Sequence, residues 1–365
     1  MTLRGILNRA RMARWHLGRT IPSILRHPPV YPESPRKPAL RRLLDNLYIY
    51  LRDGSPCVAY DAFGLDAKDA PRLGDFVAQY AWIRRLCKSL DRASGCSSPF
   101  ARVVVAGDTQ VPLLQDKYLF WSYLDRHGIK TVPVLAHTLG GKLYDFSAGG
   151  LAKEERFFAK PAAELCGAGT MMVAVRDGRF YDGSRPLDLE KLAAEGDFVF
   201  QPVVENHADL KAFNPSSLNT LRMVTCRTPG GAFELWDPGM LRIGRAGSAV
   251  DNFAKGGIGV GIDGDGRLMR FGYSHDPDWR FRKMEAHPDS GLRFLGKAVP
   301  FYREAAGLAL AAHRLFPSLR TVGWDVAVEP GGPVLLEGNH NWDMEMLQIV
   351  HRKGAAERFR EIFGK

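Results

Sequence analysis

The chain has 365 residues, is 45% hydrophobic and carries a formal net charge of +10, which predicts a globular protein with a sizeable core and two or three domains. No run of about 18 apolar residues and no signal-like start is present, so neither a membrane-spanning helix nor secretion is expected. The five cysteines lack the close pairs of a zinc site or disulfide framework, which favours a reducing compartment and a cytoplasmic location.

Most of the positive charge lies in residues 1–42, a basic tail that ends in a Pro-rich linker. Nine arginines and one lysine against one acid give this segment +9, which leaves about +1 for the other 323 residues. Because the charge is confined to a tail, we expect no nucleic-acid partner. Apolar residues recur at helical spacing within residues 1–26, so contact with an anionic inner-membrane surface is one option. A helix that packs on the body or frays in solvent is the other.

Residues 43–100 form a predicted helical region without visible chemistry, because apolar residues repeat there every three or four positions. A buried strand is predicted over residues 101–107, and a helix over residues 113–129, which ends at a glycine. Lys117 lies near the start of that helix, where a cation opposes the helix dipole unless an anion is bound nearby. The alternative for this lysine is simple exposure to solvent.

A second lysine, Lys160, follows the apolar run "FFA" and precedes a loop of small residues. The loop consists of Gly167, Ala168, Gly169 and Thr170. A lysine at the end of a buried strand, facing free backbone N–H groups, suits nucleotide phosphates, although an ordinary hairpin turn is the alternative. The Asp177-Gly178 pair that follows predicts a hairpin, and therefore an antiparallel sheet.

The segment over residues 197–210 predicts a buried strand that Pro202 interrupts, because proline cannot donate a ladder hydrogen bond. The interruption leaves Gln201, the backbone of Val203 and Glu205 free to bind a flat polar group such as adenine or ribose.

The strongest pattern is "GWDVAVEPGGPVLLEGNHNW", two strands joined by a Pro-Gly-Gly turn centred near Gly331. Opposed residues of a hairpin share a face, so Asp325, Glu337 and Asn339 are predicted to lie together. The opposite, core-facing set is predicted to be Trp324, Val326, Val328, Val334 and Leu336. Hard oxygen ligands of this kind suit magnesium; the alternative is a solvated face of an ordinary hairpin.

Together these segments resemble the ATP-grasp superfamily, most closely its sugar-transfer associated branch, over about residues 50–348. The motifs are "DKYLF", "FFAKP" with "GAGT", "VFQPVVENHADLKAFNPSSLNTLRMVT", "DNFAKGGIGVGID" and "GWDVAVEPGGPVLLEGNHNWDMEM". The core is similar to ligases of the D-alanine:D-alanine and glutamate types. The resemblance implies an α+β fold in which two lobes with antiparallel sheets clamp ATP. The ATP-grasp domain is then expected over 101–365, with lobe one at about 101–200 and lobe two at about 201–350.

The resemblance also implies roles for individual residues. Lys117 and Lys160 match the phosphate-binding lysines, the Gly167–Thr170 loop covers the phosphates, and Gln201, Val203 and Glu205 match the adenine and ribose hinge. The matched magnesium ligands are Asp325, Glu337 and Asn339.

Arg222, on a strand expected beside the metal-binding strands, would act with Lys160 in catalysis by stabilising a transferred phosphoryl group. A structural salt bridge is the alternative for Arg222. Asn219, Asp251, Asn252 and His340 are expected to contact substrate.

The activity implied is an ATP- and Mg²⁺-dependent ligation of a small carboxylic acid to an amine or thiol through an acyl phosphate. Its substrate would be a sugar, peptidyl or cell-surface precursor. One alternative is an ATP-grasp phosphotransferase acting on a hydroxyl group. Another is a non-catalytic nucleotide-binding adaptor with a basic, membrane-surface tail. The sequence leaves the oligomeric state open.

Overall fold

The computed structural model describes residues 18, 21–22, 24–53, 57, 59–77, 110–163, 169–248, 251–253, 256–277 and 280–364. Most of the predicted N-terminal helix and the predicted strand over 101–107 lie outside these ranges. Within these ranges, no helix is both long and apolar enough to cross a bilayer.

The helices are short and concentrated at the two ends of the described chain. They are α1 Ala39–Asp53, α2 Gln110–Gln115, α3 Lys117–Arg126, α4 Leu189–Glu195, α5 Ala208–Lys211, α6 Tyr302–His313, α7 Met344–His351 and α8 Ala356–Phe363. The single helix expected over 113–129 is divided into α2 and α3. The division occurs because Asp116 caps α3: its Oδ1 accepts a hydrogen bond from the Leu119 N–H at 2.9 Å. Lys117 is therefore the first residue of α3.

The first lobe is built on a seven-stranded sheet. Its strands are β1 Ala136–Leu139, β2 Lys142–Asp145, β3 Arg156–Pro161, β4 Met171–Arg176, β5 Arg179–Asp182, β6 Arg185–Leu187 and β7 Phe198–Pro202. The order is β2-β1-β7-β3-β4-β5-β6, and every pair is antiparallel, as predicted. Asp177 and Gly178 both have positive φ, 49° and 71°, which confirms the predicted two-residue turn between β4 and β5.

The second lobe is built on an eight-stranded antiparallel sheet. Its strands are β8 Thr220–Arg227, β9 Phe233–Leu235, β10 Met240–Ile243, β11 Ile258–Ile262, β12 Leu268–His275, β13 Phe281–Met284, β14 Thr321–Glu329 and β15 Gly332–Asn339. The order is β13-β12-β11-β10-β8-β14-β15, with β9 paired to β8. Strand β8 thus lies between two strands that follow it in the chain.

The two faces of the second sheet are buried against different partners. Leu221 and Met223 of β8 join the core that includes α6, whereas Val224 joins a core built from α7, α8 and the N-terminal region. Because side chains alternate along a strand, Arg222 lies on the same face as Val224. The N-terminal region and α7 therefore enclose the sheet face that carries the polar residues described below.

Candidate active site

The predicted hairpin is formed by β14 and β15, and it places the two carboxylates opposite each other. Asp325 pairs with Glu337, and Gly323 pairs with Asn339. The turn is Pro330-Gly331, because Glu329 pairs with Gly332, and a bulge follows between Asp325 and Val326. The centre of the turn lies half a residue before the expected position at Gly331. The bulge adds one residue to β15 and so restores the predicted pairing of Asp325 with Glu337, which is confirmed.

The bulge also corrects the predicted core face of the hairpin. Leu335, not Leu336, packs with Trp324 and Val326 in the main core. Val334 and Leu336 instead pack in a separate cluster with Ala327. The extra residue in β15 exchanges the two faces of the strand between the turn and the bulge. The predicted core-facing position of Val334 and Leu336 was therefore wrong.

Two arginines compensate Asp325 on this face. Arg222 lies directly across from it on β8, with Nε 2.6 Å from Oδ1 and Nη2 3.2 Å from Oδ2. Arg242, on β10, places Nη1 3.0 Å from Asp325 Oδ2. Arg222 is thus engaged in the salt bridge considered above as the alternative to phosphoryl binding. Arg242 was not predicted, although "MLRI" repeats the apolar-Arg-apolar alternation of "TLRMVT".

Asp251 closes this network from the other side of Arg242. Its Oδ1 lies 2.7 Å from Arg242 Nη2, and its Oδ2 accepts hydrogen bonds from the backbone N–H, at 3.0 Å, and the hydroxyl of Thr220. Asp251 is buried, and Asn252 beside it is half-buried. The predicted substrate contact at Asp251 is therefore occupied by Arg242.

Asn219 does not reach the cleft. Its side chain is fully buried, and its Nδ2 donates to the carbonyl oxygens of Leu210 and Asn214. Its Oδ1 accepts from the hydroxyl of Ser217 and the N–H of Gly244. These bonds use all of its polar atoms to brace the segments around β8, and they do not support the predicted substrate contact.

The pKa values of the two hairpin carboxylates shift in opposite directions. Burial raises the pKa of Asp325, but Arg222 and Arg242 together outweigh burial, so its pKa is lowered and it is ionised. Burial and the adjacent negative charge of Asp325 raise the pKa of Glu337. The two side chains share a hydrogen bond, and Asn339 Nδ2 donates to Glu337 Oε1 at 3.2 Å. Glu337 therefore contacts both Asp325 and Asn339.

Lys160 and Lys117 lie close enough to this group for their charges to interact. Burial lowers the pKa of Lys160 to about 8; Glu337 acts in the opposite direction, and Lys117 adds to the lowering. Lys160 Nζ donates to Gln201 Oε1 at 3.0 Å, and Lys117 Nζ donates to the carbonyl oxygen of Pro161 at 3.0 Å. Lys160 thus belongs to β3 of the first sheet, whereas Lys117 is the first residue of α3.

A cleft between α2, α3 and β15 brings several predicted residues together. Its lining residues are Leu114, Gln115, Lys117, Phe120, Leu336, Glu337, Gly338, Asn339, His340 and Asn341. His340 is buried and forms part of this wall. Lys117 and the hairpin therefore face each other across one opening, even though more than 200 residues separate them in the chain.

The predicted nucleotide loop and hinge are only partly accounted for. Gly167 and Ala168 lie outside the described residues, whereas Gly169 has a φ of 70° and Thr170 is exposed. Gln201 is buried, with Nε2 donating to the Val132 carbonyl oxygen at 3.2 Å, so it holds Lys160 instead of facing outward. The hinge contacts left open to a nucleotide are those after the end of β7.

The remaining hinge residues lie nearer the surface. Val203 is half-buried, and Glu205 is exposed, with its carboxylate 3.6 Å from the Arg156 guanidinium. An exposed ion pair of this kind contributes little stability, so Glu205 can exchange Arg156 for another partner at low cost.

The donor atoms of the hairpin are of the kind that suits a magnesium ion. Asp325, Glu337 and Asn339 offer the hard oxygen donors that Mg²⁺ prefers, and a cation would relieve the repulsion that raises the Glu337 pKa. Within the described ranges, no group of three or more His, Cys, Asp or Glu side chains could hold a metal ion. The ion would therefore depend on the Asn339 amide and on oxygens supplied by a bound phosphate.

Two antiparallel sheets, with Lys160 on one and the acidic hairpin on the other, are accompanied by a match to the ATP-grasp class of proteins. The model of the sugar-transfer associated ATP-grasp family matches residues 104–363, and this chain belongs to that family. The match begins later, and extends further towards the C terminus, than the resemblance over about 50–348 had indicated.

Solved structures with a similar fold include three ligases or synthetases at 12% identity. N5-carboxyaminoimidazole ribonucleotide synthetase from Thermotoga maritima has a TM-score of 0.37, over 70% of this chain and 50% of its own. L-amino acid ligase from Bacillus licheniformis has a TM-score of 0.37, over 67% and 44%. D-alanyl-alanine synthetase A from Vibrio cholerae has a TM-score of 0.40, over 69% and 64%. The chain spans about half the length of the first two. No curated protein matches it.

Proposed function

We propose that this protein is an ATP- and Mg²⁺-dependent ligase that joins a small carboxylic acid to an amine through an acyl phosphate. The observation that carries the proposal is the cleft in which Lys117 faces Glu337 and Asn339, with Lys160 near enough for its charge to interact with Glu337. Cationic and metal-binding groups on opposite walls suit a polyphosphate held between them. Membership of the ATP-grasp family supports ATP as that polyphosphate.

The proposed reaction has two displacements. A carboxylate oxygen attacks the γ-phosphorus of ATP, the bond to the β–γ bridging oxygen breaks, and ADP leaves. The amine nitrogen then attacks the acyl carbon, inorganic phosphate leaves, and the nitrogen releases a proton to water. Neither displacement needs a nucleophilic side chain, so positioning and charge stabilisation are the main tasks of the protein.

Each wall of the cleft has a task in this scheme. The ammonium groups of Lys117 and Lys160 hold phosphate oxygens, while Asp325, Glu337 and Asn339 would hold the magnesium ion. When bound, Mg²⁺ neutralises charge on the phosphates and on the oxygen that leaves. Arg222 keeps Asp325 ionised and fixed in place, which positions this ligand.

The proposal is tested by measuring ADP release from full-length protein with ATP, Mg²⁺ and a panel of amino acids, amino sugars and small carboxylic acids. Adding hydroxylamine should trap the acyl phosphate as a hydroxamate. A phosphotransferase would instead yield a stable phosphoester and no hydroxamate. An adaptor would bind nucleotide without releasing ADP, and either result would contradict ligation.

The variant Glu337→Gln should lower ADP release by at least about 100-fold, because it removes the carboxylate that would hold the ion. Glu329→Gln is the matched control: Glu329 lies on the same hairpin, but its carboxylate is part of a partly exposed pair, 3.7 Å from Lys130. Equal activity of the two variants would remove Glu337 from the proposed site.

A further inference from the structure

Helix α1 presents most of its apolar side chains to solvent and buries a side that is mainly polar, on which Ile49 is the buried apolar residue. Five of its leucines and two of its tyrosines are exposed, and Leu40 and Leu51 are 68% and 73% exposed. On the opposite side, Arg42, Asp45 and Asn46 are buried. A surface helix normally has the reverse arrangement, and an exposed apolar stripe of this length marks an interaction surface.

Hydrogen bonds hold the buried polar side of α1, so the helix cannot rotate about its own axis without breaking them. Asp45 Oδ2 accepts hydrogen bonds from Lys37 Nζ and from the Tyr60 hydroxyl, both at 2.9 Å. Arg42 Nη1 donates to the carbonyl oxygen of Ile24, which lies outside the helix. Rotation of α1 would leave these groups unpaired in the interior, so the outward position of the leucines is a fixed property of the fold.

The apolar surface continues onto the preceding segment. The bond from Arg42 to Ile24 holds residues 24–26 against α1; Ile24 itself is buried, whereas Ile21 and Leu25 are 43% and 46% exposed. We call this set of exposed side chains the α1 apolar surface. It comprises Ile21, Leu25, Leu40, Leu43, Leu44, Leu47, Tyr48, Tyr50 and Leu51.

The charge around the α1 apolar surface identifies its partner. Residues 1–42 carry +9, and this basic stretch runs directly into the surface along the chain. On α1, Arg41 is exposed at one end, while Asp45 is buried and paired. A second copy of the chain would bring another +9 to the same interface, so repulsion disfavours a symmetric dimer. Apolar side chains beside clustered arginines instead match the boundary between acyl chains and anionic headgroups.

We propose that the α1 apolar surface docks this protein onto an anionic phospholipid bilayer, with α1 lying in the plane of the interface. The leucines and tyrosines enter the acyl boundary, and the exposed Arg26 and Arg41 face the headgroups. The helix has 15 residues and is therefore about 22 Å long, enough to present its whole stripe in one plane. This docking is independent of the ligase reaction, because none of these residues lines the cleft.

The test is co-sedimentation of full-length protein with vesicles of phosphatidylcholine, and with vesicles in which roughly one third of the lipid is phosphatidylglycerol. The wild type should sediment with the anionic vesicles, weakly with the neutral ones, and less at high salt. The double variant Leu44→Glu/Leu47→Glu should bind the anionic vesicles at least about tenfold more weakly, while it keeps all ten basic residues of 1–42.

The matched control is Leu139→Glu/Leu295→Glu, which changes two leucines that are 56% and 66% exposed elsewhere on the protein. It should sediment like the wild type, and circular dichroism melting should show that both double variants are folded. The proposal is overturned if the wild type does not sediment, or if the α1 variant sediments as well as the control. It is equally overturned if size-exclusion chromatography without lipid gives an oligomer that the α1 variant converts to monomer.

Discussion

Replacing Arg242 by methionine should destabilise the second lobe by about 3–5 kcal/mol, because it removes one partner from a buried ionic network. Arg242 reaches Asp251 at 2.7 Å and Asp325 at 3.0 Å, and all three side chains are at most 14% exposed. Asp325 keeps Arg222 after the substitution. Among the described residues, Asp251 keeps only the neutral N–H and hydroxyl of Thr220. A single uncompensated buried carboxylate is therefore the origin of the expected cost.

A second substitution shows whether this explanation is correct. Asp251→Asn keeps an oxygen that can accept from Thr220 but removes the charge, so Arg242→Met/Asp251→Asn should recover about 2–3 kcal/mol relative to Arg242→Met alone. Urea unfolding, followed by the fluorescence of the buried Trp324 and Trp342, reports on this lobe. The two single variants and the double variant complete a double-mutant cycle.

The Arg242→Met variant should also differ from the wild type in its response to pH. Burial already raises the pKa of Asp251 in the wild type, against the lowering effects of Arg242 and Thr220; without Arg242 the folded-state pKa rises further, so protonation stabilises the folded variant. The stability that Arg242→Met loses relative to the wild type should therefore be smaller at about pH 5 than at about pH 8. Additive effects in the cycle, together with a cost below about 1 kcal/mol, would refute the view that Asp251 depends on Arg242.

Two further predictions concern the same lobe. Burial lowers the pKa of His313 from 6.5 to about 4, so the wild type should lose stability as the pH falls through this interval, by at most about 1.4 kcal/mol per pH unit. Thermal melting of His313→Gln should lack this loss, and identical pH slopes would contradict the assignment. In Gly323→Ala, the added Cβ would lie 2.9 Å from Trp342 Cγ, which should cost about 1–3 kcal/mol and lower ADP release. Gly331→Ala, on the same hairpin with no atom within 4 Å of its Cβ, should behave like the wild type in both assays.

The acidic hairpin could be predicted from the sequence because its information is local. A Pro-Gly turn fixes which residues oppose each other, and the period of two along each strand fixes which share a face. Applied to a turn centred on Gly331, these two rules predict the opposition of Asp325 and Glu337; in the structure the turn is Pro330-Gly331, and the pairing holds because a bulge adds one residue to β15. The bulge could not be predicted, because nothing in "VLLEG" distinguishes the extra residue from its neighbours, and so the faces of Val334 and Leu336 were assigned wrongly.

The arginine network could not be predicted because it depends on the order of strands in the sheet. Strand β8 lies between β10 and β14, neither of which precedes it in the chain. Only that order places Arg222 beside Asp325 and brings Arg242 within reach of both Asp251 and Asp325. The sequence pattern identified Arg222 as a charged residue in an apolar strand. Its partner, Asp325, is determined by the tertiary structure.

Helix α1 could be predicted from its periodicity, but not its orientation. The hydrophobic period shows that one side is apolar, and the usual inference is that this side is buried. In the structure, Asp45 forms salt bridges with Lys37 and Arg41 and accepts a hydrogen bond from the Tyr60 hydroxyl. The convergence of these three residues on one carboxylate is not visible in the sequence. These contacts select the polar side for the interior.

The row Arg222, Asp325 and Glu337 across β8, β14 and β15 explains how one face can serve both folding and chemistry. Arg222 and Arg242 balance the charges of Asp325 and Asp251 within the sheet, which makes that part of the network a structural element. Glu337 lies one strand further out, where burial and Asp325 raise its pKa, Arg222 lowers it, and its charge acts on Lys160 of the other lobe. The arginines bring the pKa of Asp325 below its usual value but do not do so for Glu337, which separates the group that would bind a cation from the groups that hold the lobe together.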